Sequence, residues 1–265
     1  MVLFLLLFKN TIKRRIVVSS FDIEHNDRVI GATHRFVTHV SNFFLKSNFI
    51  KPNGHGERMK LIIFDCDGTL VDSEFLCNLA MQQQLAAMGF SVNAQQLTDE
   101  YRGVSLSAIM SSLETKLNTV FPPQFETEYR AKVETLFDQH LKPIAGVVEL
   151  IESLTIPFCI ASSGPRKKIQ HALAVTGLDK YFKGAIFSAH EVGVWKPDPG
   201  LFLHAAKTMQ VAPKDCYVVE DSAVGVQAAH RANMRCVYYA PETTEKNPLA
   251  TLQVRHMSEL KGQLV

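Results

Sequence analysis

The sequence predicts an α/β protein with a doubly wound parallel sheet and a small all-helical cap inserted after the first strand. Short apolar runs alternate with helical patterns along residues 142–265, which is typical of a parallel sheet covered by helices on both faces. Residues 72–141 carry only helical patterns, and acidic residues directly follow two predicted strands. We therefore expect an α/β core formed by 59–71 and 142–265, and a cap formed by 72–141.

Local patterns justify each element in turn. Residues 60–65 (KLIIFD) are a short apolar run ending in an acid, which predicts a buried strand. Asp72 and Ser73 offer an N-cap to a helix that Gly89 ends. Further cap helices are predicted over 105–117 and 126–141. The core is predicted to hold strands over 158–161, 185–187, 216–219 and 236–239, and helices over 147–154, 165–175, 199–209 and 223–232.

The first 58 residues differ from the rest of the chain. They carry a net charge of +5, whereas residues 59–265 carry −3. They show no sustained helical or strand period, and their apolar run over 2–8 precedes the basic residues, unlike the order in a signal peptide. We expect residues 1–58 to be a non-native or disordered extension, with an organelle transit segment as the alternative.

The overall composition excludes several classes of protein. An apolar share of 46% and a charged share of 20% are typical of a globular protein. The net charge of +2 gives no reason to expect a nucleic-acid partner, and no apolar run reaches the roughly 20 residues of a membrane helix. The five cysteines form no CxxC pair, so we expect free thiols in a reducing, cytoplasmic compartment. We also expect a monomer without a membrane partner.

Carboxylates gather at the predicted strand ends. Asp65 ends the first strand, and Asp67 lies two residues further on, so both side chains can face one site. Glu220 and Asp221 follow the strand predicted over 216–219. Because ligands of such sheets bind beyond the carboxyl ends of the strands, we expect these acids to converge there. Carboxylates suit a hard cation, which predicts a Mg²⁺ site.

Hydroxyl and amine groups lie at the neighbouring strand ends. Ser162 and Ser163 follow the strand predicted over 158–161, and Lys196 precedes a proline. Backbone N–H groups and hydroxyls can hold phosphoryl oxygens, and a metal with a lysine can neutralise developing charge. An aspartate can attack phosphorus while a second acid protonates the leaving oxygen. The pattern therefore indicates phosphoryl-transfer chemistry.

Four ordered motifs resemble those of the haloacid dehalogenase superfamily. They are FDCDGTL at 64–70, ASS at 161–163, Lys196 in WKPDP, and the acid pair of VVEDSAVGV at 220–221. The helical insertion is similar to the cap of the β-phosphoglucomutase-like subfamily. Within that subfamily the chain resembles in particular the bacterial 6-phosphogluconate phosphatases.

The resemblance implies a role for each matching residue. Asp65 is implied as the nucleophile and a Mg²⁺ ligand, and Asp67 as the general acid and base that also binds Mg²⁺ through its carbonyl. Asp221 is implied as a metal ligand, with Glu220 bound directly or through water. The implied phosphoryl-binding group comprises Ser162, the Ser163 amide, Lys196 and Thr69, the last of which also orients Asp67.

The implied activity is Mg²⁺-dependent hydrolysis of a small phosphorylated metabolite, a sugar phosphate or a sugar-acid phosphate, through an aspartyl-phosphate. A phosphosugar mutase and a non-catalytic receiver-like domain are the alternatives. The mutases carry a hinge histidine where Cys77 stands and a phosphate-anchoring arginine where Leu106 stands. Receivers lack a second aspartate corresponding to Asp67.

Two basic segments leave alternatives open. Arg102, Gly103 and Ser105 resemble the substrate loop of the cap, where Arg102 binds an anionic end of the substrate or is merely solvated. Residues 166–168 (RKK) lie at the start of a predicted helix, where positive side chains are unfavourable. Their presence there therefore suggests an anionic ligand. For these three residues a solvated surface is the favoured interpretation.

Overall fold

The computed structural model describes residues 61–261 and 263–264. The expected extension over 1–58 lies outside the described residues. The strands are β1 Leu61–Phe64, β2 Phe158–Ser162, β3 Ile186–Ser188, β4 Cys216–Glu220, β5 Arg235–Tyr239 and β6 Leu252–Val254. The helices are α1 Glu74–Ala87, α2 Ala94–Tyr101, α3 Leu106–Leu117, α4 Phe125–His140, α5 Val147–Ser153, α6 Arg166–Thr176, α7 Ala189–Val192, α8 Gly200–Thr208 and α9 Ala223–Arg231. Short 3-10 turns occupy Pro213–Asp215 and Met257–Leu260.

All six strands pair in parallel in the order β3-β2-β1-β4-β5-β6. The predicted doubly wound α/β class is confirmed. Strand β1 lies in the middle, with Phe64 in register with Ile160 of β2 and with Val219 of β4. The chain proceeds outward from β1 through β2 to β3 and then returns to the other side of β1. This reversal creates the crevice in which such sheets bind ligands.

Both faces of the sheet are buried, which explains why β1 is apolar throughout. Ile62 and Phe64 belong to one core cluster, whereas Leu61 and Ile63 belong to the cluster on the opposite face. All four side chains are fully buried. A central strand covered on both sides places its following residue, Asp65, at the middle of the carboxyl edge.

Helices α1–α4 occupy the segment predicted as a cap. Within the described chain, residues 72–141 contain these helices and no strand. Helix α1 packs against both α2 and α4, and Gln84 Nε2 donates a hydrogen bond of 2.6 Å to Glu128 Oε2 between α1 and α4. The division into core and cap, with bounds at 72 and 141, stays a prediction.

The structure adds elements that the sequence patterns did not predict. Helix α2 follows Asn93, whose side chain accepts a hydrogen bond of 3.0 Å from the Gln96 N–H, and it buries Leu97 and Tyr101. Strand β6 pairs with β5 at the edge of the sheet. Its sequence, LQV, has only three residues and is too short to show the alternation of a strand. Its extended conformation is stabilised by the pairing with β5.

All five cysteines lie in the described part of the chain, and their thiols are free there. The compartment stays a prediction. Among the described helices, none combines the length and apolar character needed to cross a bilayer.

We expect Phe182→Ala to lower the free energy of unfolding by about 3–5 kcal/mol, because it removes a fully packed ring. Phe182 lies edge-on to Phe64 and Phe158, with ring centroids 6.3 and 5.3 Å away. Phe75→Ala is the matched control, since 42% of Phe75 is exposed. That change should cost less than about 1 kcal/mol. Urea unfolding of both variants measures the difference, and equal losses would contradict the packing described.

Candidate active site

Three buried carboxylates meet at the carboxyl edge of the sheet. Asp65 follows β1, and its N–H donates a hydrogen bond of 2.9 Å to the Val219 carbonyl of β4. Glu220 ends β4 and Asp221 follows it. Each of the three acids offers one oxygen, and these oxygens lie within 4.8 Å of one another. The parallel pairing of β1 and β4 therefore brings together acids that are 155 residues apart in the chain.

Lys196 provides a cation between two of these acids. Its Nζ donates hydrogen bonds to Asp65 Oδ1 and, at 3.3 Å, to Glu220 Oε2. Its side chain is 4% exposed. Although burial acts to lower it, the two carboxylates raise the pKa of Lys196 above its usual range. Lys196 therefore stays charged at neutral pH.

Burial dominates the titration of the acid cluster. It raises the pKa of Asp65 to about 7, and Lys196 acts against this rise. Burial likewise raises the pKa of Glu220. The pKa of Asp221 lies well above its usual range because of burial and the nearby Glu74 and Asp65 carboxylates. Carboxylates whose pKa values are raised by burial and by one another favour a bound cation, because its charge would stabilise their ionised forms.

Asp221 has two donors besides the acids around it. Thr69 Oγ1 donates a hydrogen bond of 3.2 Å to Asp221 Oδ1, and Arg102 Nη1 lies 3.4 Å from Asp221 Oδ2. The expectation that Thr69 orients Asp67 is wrong, because its single O–H is directed at Asp221. Its assignment to the phosphoryl group stays a prediction.

Asp67 is held by a different pair of donors. Lys168 Nζ lies 2.7 Å from Asp67 Oδ1, and Ser73 Oγ donates to the same oxygen at 2.6 Å. Although burial acts to raise it, Lys168 and Ser73 lower the pKa of Asp67. Ser73 occupies the N-cap position of α1 but makes no side-chain capping bond. Its hydroxyl binds the acid instead.

The interpretation of residues 166–168 as a solvated surface is wrong for Lys168. Each of the three cations contacts a carboxylate: Arg166 contacts Glu191 at 2.6 Å, Lys167 contacts Glu134 at 2.7 Å, and Lys168 contacts Asp67. Lys167 is 83% exposed, but Lys168 is 22% exposed. The anions that the helix start indicated are therefore carboxylates of the protein itself.

The loop after β2 has the hydroxyl and amide groups expected of a phosphoryl site. The Gly164 N–H donates a hydrogen bond of 3.1 Å to Ser162 Oγ, and Ser188 Oγ donates to the Gly164 carbonyl at 2.7 Å. Accepting a bond does not use the Ser162 O–H, which can still donate. Ser163 is half-buried in the same loop. The phosphoryl-binding roles of Ser162 and Ser163 stay predictions.

Of the three cap residues expected to contact the substrate, two lie near the acid cluster and one caps a helix. Arg102 reaches Asp221, and a Cβ on Gly103 would lie 2.5 Å from Ser222 Cβ, so both residues lie against the loop after β4. Ser105 is the N-cap of α3, where its hydroxyl accepts a hydrogen bond of 3.4 Å from the Ala108 N–H. The structure thus brings Arg102 and Gly103, but not Ser105, to the acid cluster.

Glu74 belongs to the same electrostatic environment, although the sequence indicated only a helix start. Burial, followed by the Asp67 carboxylate, raises its pKa, while Lys168 and Arg102 act against the rise. Its carboxylate in turn raises the pKa of Asp221. The nearby acid motif at 65–67 is the feature of the sequence that pointed to this location.

The donor set of the cluster fits a divalent cation. Asp65, Glu220 and Asp221 offer carboxylate oxygens, which hard divalent cations prefer. The cluster has no sulfur or imidazole ligand among the described residues. The arrangement can hold an ion beside Asp65, the carboxylate that Lys196 also contacts.

Residues 62–239 match the family described as haloacid dehalogenase-like hydrolases. The chain belongs to this family. The chain is also 36% identical over 208 residues to the 6-phosphogluconate phosphatase of Escherichia coli, an alignment that covers 77% of this chain and 93% of that protein. The predicted family and the predicted class of phosphoric monoester hydrolase are confirmed.

Two further comparisons agree with this membership. The phosphorylated carbohydrates phosphatase of Thermotoga maritima is 30% identical over 187 residues, which cover 68% of this chain and 84% of that protein. A family hydrolase from Deinococcus radiodurans, solved with bound phosphate and sodium, superimposes with a TM-score of 0.64. It is 25% identical, and the match covers 79% of this chain and 96% of that chain.

We expect Gly68→Ala to weaken the binding of a divalent cation, because a Cβ there would lie 2.2 Å from Asp221 Oδ2. Gly68 has a φ of +75°. Gly89→Ala is the matched control, since its φ is +86° but nothing lies within 4 Å of the added Cβ. Backbone strain should cost each variant about 1–2 kcal/mol of stability. The overlap with Asp221 adds a further cost to Gly68→Ala alone. Calorimetric titration with Mg²⁺ should show weaker binding only for Gly68→Ala, and equal affinities would contradict the described approach to Asp221.

Proposed function

We propose that this protein is a Mg²⁺-dependent phosphatase of phosphorylated sugars or sugar acids, acting through an aspartyl-phosphate on Asp65. The observation that carries the proposal is the cluster of Asp65, Glu220 and Asp221 with Lys196 beside it. Asp65 is the acid of this cluster that follows the central strand and has Lys196 as its direct partner. The named phosphatase relatives support the reaction class.

In the proposed reaction, an oxygen of Asp65 attacks phosphorus and the bond from phosphorus to the leaving oxygen breaks. Asp67 takes up a proton when the negatively charged phosphoryl group binds beside it, since that charge opposes the effect of Lys168. It then gives this proton to the leaving oxygen, which departs as an alcohol. Water then attacks the phosphorus, its proton passes to Asp67, and the bond from Asp65 to phosphorus breaks. Phosphate leaves, and both aspartates return to their starting forms.

The remaining residues neutralise and hold the phosphoryl group. Lys196 offers its charge to the phosphoryl oxygens, and the Ser162 hydroxyl with the Ser163 N–H holds them. Asp65, Asp221 and Glu220 would hold a Mg²⁺ ion, as would the Asp67 carbonyl. When bound, the ion supplies positive charge that offsets the charge of the transferring phosphoryl group.

Hydrolysis is proposed rather than transfer to a second site on a sugar. Mutases of the related subfamily have a histidine and an arginine where this chain has Cys77 and Leu106. Cys77 is half-buried and Leu106 packs against the apolar core, so neither offers a cation to a second phosphate. A bisphosphate intermediate would therefore be weakly held, and water would intercept the aspartyl-phosphate.

We also propose that α1–α4 act as a cap whose loop over 102–105 faces the leaving group. Arg102 of this loop already lies 3.4 Å from Asp221. A guanidinium at this place suits a substrate with an anionic end, such as a sugar-acid phosphate. The relatives named for 6-phosphogluconate and for phosphorylated carbohydrates support this substrate class.

Turnover with and without EDTA tests the proposed function. We expect hydrolysis of p-nitrophenyl phosphate that EDTA abolishes and added Mg²⁺ restores, because the acid cluster needs a cation. A panel of sugar phosphates, sugar-acid phosphates and nucleotides, ranked by kcat/KM, then measures the substrate preference. No turnover would contradict the proposal and favour a binding domain. Turnover that EDTA leaves unchanged would contradict the proposed dependence on Mg²⁺.

We expect Asp65→Asn to abolish turnover while the protein stays folded, because an amide is a poor nucleophile for phosphorus. Asp179→Asn is the control, since Asp179 is an exposed aspartate of the core. Its turnover should match that of the unchanged protein. Steady-state kinetics with circular dichroism measures both effects, and an unchanged kcat for Asp65→Asn would refute the assigned nucleophile.

A further inference from the structure

We infer that Lys168 is a positioning residue that fixes the Asp67 carboxyl group, leaving Oδ2 as the oxygen that exchanges the proton. The inference rests on the proposed function, because it assumes that Asp67 protonates the leaving oxygen. It adds a residue that none of the four motifs contains.

The two oxygens of Asp67 have different surroundings. Oδ1 receives hydrogen bonds from both Lys168 Nζ, at 2.7 Å, and Ser73 Oγ, at 2.6 Å. Oδ2 faces the loop after β2, because a Cβ built on Gly164 would lie 3.5 Å from both Oδ2 and Ser162 Oγ. Two donors on one oxygen fix the rotation of the carboxyl group. The other oxygen is thereby directed to the loop expected to hold the phosphoryl group.

Lys168 is itself held in place from several sides. It lies in the first turn of α6, and its Nζ is 5.7 Å from the centroid of the Phe137 ring of α4, in a cation–π arrangement. Its side chain is 22% exposed, close to the 21% of Asp67. A half-buried, ring-supported ammonium has fewer orientations than a surface lysine. It can therefore hold Asp67 more firmly than Ser73 alone.

The substrate dependence of the loss separates positioning from a general structural role. An alkyl phosphate needs a proton on its leaving oxygen, whereas p-nitrophenolate leaves without one because it is weakly basic. The ratio kcat/KM reports only the steps up to release of the leaving group. A misplaced Asp67 should therefore lower kcat/KM for alkyl phosphates selectively.

We expect Lys168→Met, which keeps the length of the side chain but removes the donor, to lower kcat/KM for the best alkyl phosphate of the panel about 10²-fold, the cost of a misplaced group. Its kcat/KM for p-nitrophenyl phosphate should stay near that of the unchanged protein. Lys167→Met is the matched control, because Lys167 is the neighbouring, 83% exposed lysine and contacts only Glu134 among the described residues. Lys167→Met should leave kcat/KM unchanged for both substrates. Asp67→Asn gives the full loss for comparison, about 10²–10⁴-fold.

Equal losses on the two substrates would overturn the inference in favour of a structural role, and so would no loss on either. A crystal structure of the unchanged, Mg²⁺-loaded protein supplies a test that needs no variant. A distance from Lys168 Nζ to Asp67 within hydrogen-bond range supports the inference, and a clear separation overturns it. An unchanged protein that hydrolyses no alkyl phosphate contradicts the proposed function instead, which keeps the two failures distinct.

Discussion

The burial of several carboxylates at one edge of the sheet is the constraint on which the rest of the site depends. Like charges in a desolvated place repel one another, so each needs a nearby cation or a proton. The structure supplies cations from three different segments. Lys196 contacts Asp65 and Glu220, Lys168 contacts Asp67, and Arg102 contacts Asp221.

These cations differ in how firmly they are placed. Lys196 is almost fully buried, and Lys168 is supported by Phe137. Arg102 is 36% exposed and comes from the loop between α2 and α3. The core therefore supplies the cations beside Asp65 and Asp67, although a ring of the helical insertion supports the second. The insertion itself supplies the cation beside Asp221. This difference fits a site in which the core performs the chemistry and the insertion meets the varying part of a substrate.

The fold and the acids of the site were predictable because they depend on local patterns. An apolar run followed by an acid is visible in the sequence, and parallel pairing then brings the strand ends together. The partners of those acids were not predictable to the same degree. Thr69 lies two residues after Asp67 in the sequence, and only the tertiary structure decides that it binds Asp221. In the sequence Lys168 cannot be distinguished from the exposed Lys167 beside it. Only the packing of α4 against Lys168 sets the two apart. Strand β6 likewise owes its conformation to β5.

The length of the two edge strands affects whether the sheets of two molecules can pair with each other. Strands β3 and β6 lie at the edges and have three residues each. An edge strand can pair with a strand of another molecule, and a short one offers few free backbone groups for this. The longer, strongly apolar β1 is enclosed between its neighbours. Among the described strands, the apolar β1 therefore has no free edge. The short edge strands offer little backbone for pairing between the sheets of two folded molecules.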